Sequence, residues 1–241
     1  MKGTTAIWHD VECGSYDADL PLWEELADKH GDPILELGCG TGRVALHLAR
    51  RGYRVIGLER DDELLLELTE RAGDLPVETI RSDALELELD RQVPLVIAPM
   101  QFLHLMESEE ARFRCLRRIR DALLPGGVFA ATLLGSLPAV PPDALPPIPD
   151  VREVDGWIYA SQPVAPRGWI GNQMLLKRVR QTVAPDGKLD EEEDYVTLLF
   201  VGGPELEAEA EGLGFRPIGR GFIPETDAHV GSAIVVLERS A

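Results

Sequence analysis

The chain has 241 residues, 44% of them hydrophobic and 27% charged, enough for one large domain or one domain with a sizeable insertion. Its formal net charge of −18 repels phosphate backbones, so nucleic acid is not an expected partner. Cys13, Cys39 and Cys115 form no CxxC pair, which argues against a zinc ribbon or a disulfide framework.

No window approaches the roughly 18 uninterrupted apolar residues of a membrane span. The first stretch, "MKGTTAIWHDVECGSYDADL", has acids where a signal peptide would have its apolar core. The expectation is a soluble, cytoplasmic protein with no membrane partner.

Taken in chain order, "YDADLPLWEELADKH" reads as an amphipathic helix with Leu22, Trp23 and Leu26 on one side. "PILELG" reads as a buried strand and "GRVALHLARRG" as a helix closed by Gly52. "YRVIGLE" is the next strand, followed by "DDELLLELTERAG", a helix with acids in its first turn, where the dipole favours them. "VETIRSD" is a short strand and "VPLVIAPM" a continuous apolar one. "SEEARFRCLRRIRDALL" is a long helix opening on a Ser cap, and "GGVFAATLL" is the fifth strand. Arg112, Arg114, Arg117, Arg118 and Arg120 fall all round that helix and read as a solvated surface. Strands alternating with helices imply right-handed crossovers and a parallel sheet covered on both faces.

Then the rhythm breaks. Six prolines between Pro138 and Pro149 exclude helix and central strand, and read as a stiff connector. "VREVDGWIYASQPVA", "QMLLKRVRQTVA" and "EEDYVTLLFV", the last two separated by a "PDG" turn, read as an antiparallel addition at roughly residues 150–200. "PELEAEAEGLG" returns to helix, and "FRPIGRGFI" with "SAIVVLERS" closes the chain as a strand pair.

In "ILELGCGTGR" a buried-looking acid, Glu36, precedes Gly38, Gly40 and Gly42, which lie past a strand and before a helix. An open α/β sheet binds nucleotide-like ligands there, and glycine allows positive φ and close approach of a ligand to the backbone. A dinucleotide fold wants GxGxxG, whereas position 43 is Arg, and no GxxxxGK[ST] loop occurs. Glu59 ends the second strand 21 residues after Gly38, a spacing that suits a carboxylate accepting from both hydroxyls of a ribose. Asp83 ends the third strand, where a carboxylate could accept from an adenine amino group.

"ILELGCGTGR", "VIGLERDD", "IRSDALEL", "PLVIAPMQFLHLM" and "ALLPGGVFAATLL" resemble, in order and spacing, the motifs of class I S-adenosylmethionine-dependent methyltransferases over roughly the first 135 residues. The resemblance implies a doubly wound, seven-stranded mixed sheet of Rossmann-like type, its last strand antiparallel, with an antiparallel β insertion. It implies S-adenosylmethionine as cofactor, with Gly38 and Gly40 against the methionine part and Cys39 and Gly42 completing the loop. Glu59, with Arg60 beside it, would hold the ribose, and Asp83 and the Ala84 amide the adenine. The Ala98 carbonyl would face the cofactor's ammonium, which Glu36 would support.

Methyl transfer from a sulfonium can run on positioning and water exclusion, although a hydroxyl acceptor gains from a general base. His104, following the fourth strand, is the candidate base, with a packed helix-face histidine as the alternative. Tyr16 is a second candidate, where related enzymes fold an N-terminal helix over the cofactor. Trp157, Tyr159, Trp169 and His229 are candidates for a substrate pocket. The turn after the fourth strand reads "APMQ", a departure from the [ND]PP[YF] of base- and glutamine-modifying relatives.

The function implied is methyl transfer to a nitrogen or oxygen of a small molecule by one domain, residues 1–241, with residues 150–200 as a substrate lid. The inserted strands are the expected contact if the chain forms a homodimer. No ligand cluster suggests a catalytic metal. Two alternatives stay open, an NAD(P)-dependent oxidoreductase and a non-catalytic cofactor-binding regulatory protein.

Overall fold

The structure, a computed structural model, describes residues 4–135, 147–164, 169–226 and 229–240. Strands β1 (Ile34–Leu37), β2 (Val55–Glu59), β3 (Val77–Arg81), β4 (Val93–Ala98) and β5 (Leu123–Leu134) pair in parallel in the order β5-β4-β1-β2-β3. All four residues of β1 are buried, as befits a strand with parallel neighbours on both sides. Its Ile34 stands opposite Val55 of β2 and Leu95 of β4.

Successive β1 side chains point to opposite faces. Ile34 packs with Trp23 and Leu26 of α2 (Leu20–His30), Val44 and Leu48 of α3 (Arg43–Arg50) and Leu68 of α4 (Asp62–Ala72). Leu35 and Leu37 belong instead to the core of the other face, which includes Leu116 and Ile119 of α5 (Glu109–Ala122) and Leu206 and Ala210 of α6 (Gly203–Glu211). Glu36 therefore shares the α2–α3 face with Ile34. The helix starts follow local chemistry. The Ser108 hydroxyl accepts from the Ala111 N–H at 3.1 Å, and Asp61 Oδ1 accepts from the Glu63 and Leu64 amides at 2.9 and 3.1 Å.

The five arginines of α5 are not uniformly solvated. Arg112 is fully buried and donates to Glu209 of α6 at 2.8 and 2.6 Å, because α6 docks over that side of the helix. A helical wheel without α6 cannot assign that face.

The insertion is a second, antiparallel sheet. It contains β6 (Asp150–Val154), β7 (Trp157–Val164), β8 (Trp169–Ile170), β9 (Gln173–Val183) and β10 (Leu189–Leu199) in the order β10-β9-β7-β6, with β8 beside β9. The β6–β7 hairpin turns on Asp155 and Gly156, both at positive φ, which tight two-residue hairpin turns favour. The proline-rich connector lies outside the described residues as far as residue 146.

The chain then returns to the first sheet through β11 (Phe215–Ile223) and β12 (Ser232–Arg239). β12 pairs antiparallel with β5 and with β11, completing the order β11-β12-β5-β4-β1-β2-β3. The expected doubly wound, seven-stranded mixed sheet with an antiparallel final strand and an antiparallel insertion is the observed fold. The N-terminal helix that the resemblance implied only in general terms is α1 (Thr4–Cys13), whose Ala6, Ile7, Trp8 and Val11 are buried. No described helix is long and apolar enough to cross a membrane.

Candidate functional site

The parallel strands β1 to β4 end on one edge of the sheet, and a cleft of about 390 Å³ opens there. Its walls include Glu36, Gly38 and Cys39 from β1 and its loop, Glu59 and Arg60 from β2, and Asp83 and Ala84 from the turn after β3. Pro99, Met100 and Phe102 close it from the β4 side. Residues far apart in sequence are thus brought into one cavity. Gly40, Gly42 and Ala98 stand behind this lining: Gly42 caps α3 with φ 93°, and Ala98 is fully buried at the end of β4.

The loop conformation depends on glycine. Gly38 and Gly40 have φ of +63° and +54°, a region side chains rarely adopt. A Cβ at Gly38 would lie 2.6 Å from Phe102 Cδ2, and one at Gly40 would lie 2.2 Å from His9 Nε2. The loop is therefore packed between Phe102 and His9.

Glu59 locks this loop to the end of β2. Its Oε2 accepts from the Gly40 N–H at 3.1 Å, and its Oε1 from the Arg60 and Asp61 amides at 2.8 and 3.1 Å. Three of roughly four acceptor positions of the carboxylate are used, which leaves one for a donor in the cleft. Asp83 caps the short 3₁₀ turn Ala84–Glu86 through Oδ1, which accepts from the Leu85 N–H at 2.8 Å. Its Oδ2 lies 3.9 Å from the exposed guanidinium of Arg60.

Glu36 is the anomaly of the site. It is 3% exposed, and its Oε2 has no hydrogen-bond partner among the described residues. Burial pushes its carboxyl up to about 8, with the nearby Arg43 guanidinium opposing. An orphaned buried acceptor is costly, so this oxygen asks for an N–H donor in the cleft.

His104 does not have the freedom a base needs. It is fully buried, outside the cleft lining; its Nε2 accepts from the Leu134 N–H at 2.9 Å, so its Nδ1 donates to the Leu199 carbonyl at 3.0 Å. Both nitrogens are committed to backbone, and burial lowers the ring's pKa to about 4. The helix-face alternative is the one the geometry fits. Tyr16 is also buried outside the lining, its ring 4.8 Å from that of His229 and 5.3 Å from the Arg43 guanidinium. Burial and nearby Asp19 push its phenol up. Tyr159 packs edge-on to Trp8 at 5.3 Å, Trp157 is 41% exposed, and the Trp169 side chain lies outside the described residues.

Sequence reasoning did not delimit α1, which brings His9 and Cys13 into the cleft wall. The helix is held from both sides. Glu12 accepts from Arg180 and Ser161 of the second sheet, both at 2.8 Å. Buried Asp10 accepts from the Thr41 hydroxyl at 2.7 Å and pairs with Arg71 of α4 and, at 2.8 Å, with Arg152 of β6. The apolar spacing of Ala6, Ile7, Trp8 and Val11 is a helical signal available in the sequence. Nothing in it indicates that His9 covers the glycine loop. After β4, Met100 and Gln101 both have positive φ (48° and 58°) without being glycine, a strain of the kind that gathers at functional sites.

The cleft fits a nucleoside with a cationic amino-acid arm: Gly38 and Cys39 of the glycine loop, an orphaned carboxyl oxygen beside them, and two further carboxylates farther along. Residues 34–127 match the family described as "Methyltransferase domain". The carboxy-S-adenosyl-L-methionine synthase of Pseudomonas aeruginosa (strain UCBPP-PA14) is 37% identical over 108 residues, 40% of this chain and 43% of that protein. The cypemycin N-terminal methyltransferase of Streptomyces sp is 32% identical over 97 residues, 40% of each chain. The chain thus spans less than half the length of these curated relatives. In fold, the chain is similar to the sugar N-methyltransferase KedS8 from Streptoalloteichus sp ATCC 53650, with a TM-score of 0.76, 16% identity, and coverage of 100% of this chain and 94% of that one.

Proposed function

We propose that this chain is a class I S-adenosylmethionine-dependent methyltransferase that transfers a methyl group from that cofactor to a nitrogen or oxygen of a small-molecule acceptor, a reading its methyltransferase-domain match and fold support. One observation carries the reading: the partnerless buried oxygen of Glu36 shares a cleft with Gly38, Glu59 and Asp83. When bound, the cofactor supplies an activated methyl on a sulfonium. The protein's part is then to bind, orient and exclude water.

In this reading Glu36 and the Ala98 carbonyl receive the ammonium, and the Gly38–Gly42 loop, with Cys39, lies against the methionine arm. Glu59, with one acceptor position left rather than the two that both hydroxyls would need, takes one ribose hydroxyl with Arg60 beside it, and Asp83 and the Ala84 amide take the adenine. The second sheet, residues 150–199, acts as a lid over the acceptor, tied to the glycine loop through α1. A small-molecule acceptor is supported by the name of KedS8, a sugar N-methyltransferase. Val151, Ile158, Leu175, Leu189 and Tyr195 share the solvent-facing side of that sheet and are all exposed. These exposed apolar side chains, which share their face with Glu153, Lys177, Glu191 and Glu193, support a homodimer through the inserted strands.

The test is a binding titration followed by transfer of a labelled methyl to a panel of amines and phenols. Binding of S-adenosylhomocysteine and a labelled acceptor support the reading. Stabilisation by NAD(P) but not by S-adenosylhomocysteine overturns it.

A further inference from the structure

The imidazole of His9 has a role that the cofactor site leaves unassigned. It lines the cleft, and its Nδ1 lies 3.2 Å from the Thr41 hydroxyl oxygen. That hydroxyl has a single proton, which it donates to Asp10 Oδ1 at 2.7 Å. Asp10 is ionised, since its bonds to Arg71 and Thr41 outweigh burial and leave its pKa below the usual carboxylate value. The Thr41 oxygen can therefore only accept from His9, which puts the imidazole proton on Nδ1 and leaves a lone pair on Nε2. No described residue donates to that Nε2, which sits over Gly40. Burial keeps the ring neutral at physiological pH against the pull of Asp10 and Glu12 on α1 and Glu59 at the end of β2, with Arg43 of α3 acting in the same direction as burial.

The location sets which ligand meets this lone pair. Glu36 lies on the sheet side of the glycine loop, whereas His9 lies on the side of α1, the helix that Trp8, Asp10 and Glu12 fasten to the second sheet. With the second sheet as the lid proposed above, an acceptor beneath it would approach the loop from the His9 side.

We infer that His9 Nε2 is the proton acceptor for an amine substrate that reaches the cleft as an ammonium ion, with Thr41 and Asp10 holding the ring in the tautomer this needs. The inference rests on the methyltransferase reading and narrows it to amines. Nε2 takes one proton from the ammonium; the freed nitrogen lone pair forms the bond to the methyl carbon as the carbon–sulfur bond breaks, its electrons staying on sulfur. The imidazolium then returns the proton to water.

Sinefungin, which carries an amine where the cofactor carries its sulfonium methyl, probes this without a known acceptor. Calorimetric titrations of sinefungin and S-adenosylhomocysteine are made with the wild-type protein and His9→Asn, whose amide can still donate to Thr41 but has nothing in place of Nε2. The variant is expected to lose about tenfold in sinefungin affinity, with S-adenosylhomocysteine changing by less than about threefold. Equal changes for both ligands, or none for either, overturn the role. A wild-type protein that binds neither ligand overturns the methyltransferase reading on which it rests. Nitrogen-15 spectra of histidine-labelled wild-type protein test the tautomer separately: a proton on Nδ1 and a bare Nε2 are expected, and a protonated Nε2 in the ligand-free protein overturns the inference whatever the ligands do.

Discussion

Replacing Glu36 by Gln keeps the shape of the side chain and removes its titration. In the folded chain, burial raises the carboxyl from 4.5 to about 8. An unfolded chain releases this proton near pH 4.5, whereas the folded one keeps it until about pH 8. Stability is therefore fully present below pH 4.5 and is lost as the pH rises through the folded value. By pH 7 the loss amounts to about 3 kcal/mol, since each pH unit between the two values contributes about 1.4 kcal/mol. Glu36→Gln escapes it, so the ligand-free variant should melt on the order of 5–10 °C higher than wild type at pH 7 and close to it at pH 4.5. Ligand binding reverses the advantage. At pH 7 a carboxyl with a pKa of about 8 is mostly protonated, and an ammonium placed against Oε2 drives that proton off. Calorimetric titration with S-adenosylhomocysteine in phosphate and in Tris reads the release through the different ionisation heats of the two buffers. Close to one proton should leave per ligand bound to wild type and none from the variant, which should bind at least about tenfold more weakly. Equal heats in the two buffers for wild type would refute the ammonium–Glu36 contact.

Glu59→Ala and Asp83→Ala should each weaken S-adenosylhomocysteine binding at least about tenfold, about 1.4 kcal/mol, by isothermal titration; unchanged affinity in both removes the site assignment. Because the Leu134 amide and the Leu199 carbonyl lose their partner, His104→Ala should cost about 1–3 kcal/mol for each group left bare, seen as a lower melting temperature with cofactor affinity unchanged. A variant that melts normally but turns over slowly would restore His104 as a base. Leu175→Glu combined with Val151→Glu should convert a dimer to a monomer in light scattering after size exclusion, and a wild-type monomer at micromolar concentration would dispose of that contact.

The sheet was legible because β1 is a short apolar run between Gly31 and Gly38, β4 a continuous apolar run, and β5 carries the apolar stretch after Gly127, while the Ser108-capped helix α5 separates the last two. The carboxylates Glu59 and Asp83 were legible for the same reason: strand ends on one edge of a parallel sheet must converge, whatever their separation in sequence. For His104 the sequence left a base and a packed histidine both open, because its partners, Leu134 and Leu199, belong to β5 and β10, and position after a strand says nothing about them. His9 was not seen at all. Its significance comes from Thr41 and Asp10, which fix its tautomer across 32 residues of chain, and from the second sheet that holds α1 in place. Arg112 shows the same limit, since its burial is set by α6.

One nucleoside is expected to span the cleft from the glycine loop to Asp83. A crystal structure of the protein with S-adenosylhomocysteine tests it most directly. The account requires a ribose oxygen within hydrogen-bonding distance of Glu59, the adenine amino group at Asp83 and the ammonium at Glu36 Oε2. A nucleoside bound elsewhere, or in this cleft with Glu59 and Asp83 turned away from it, would contradict the account.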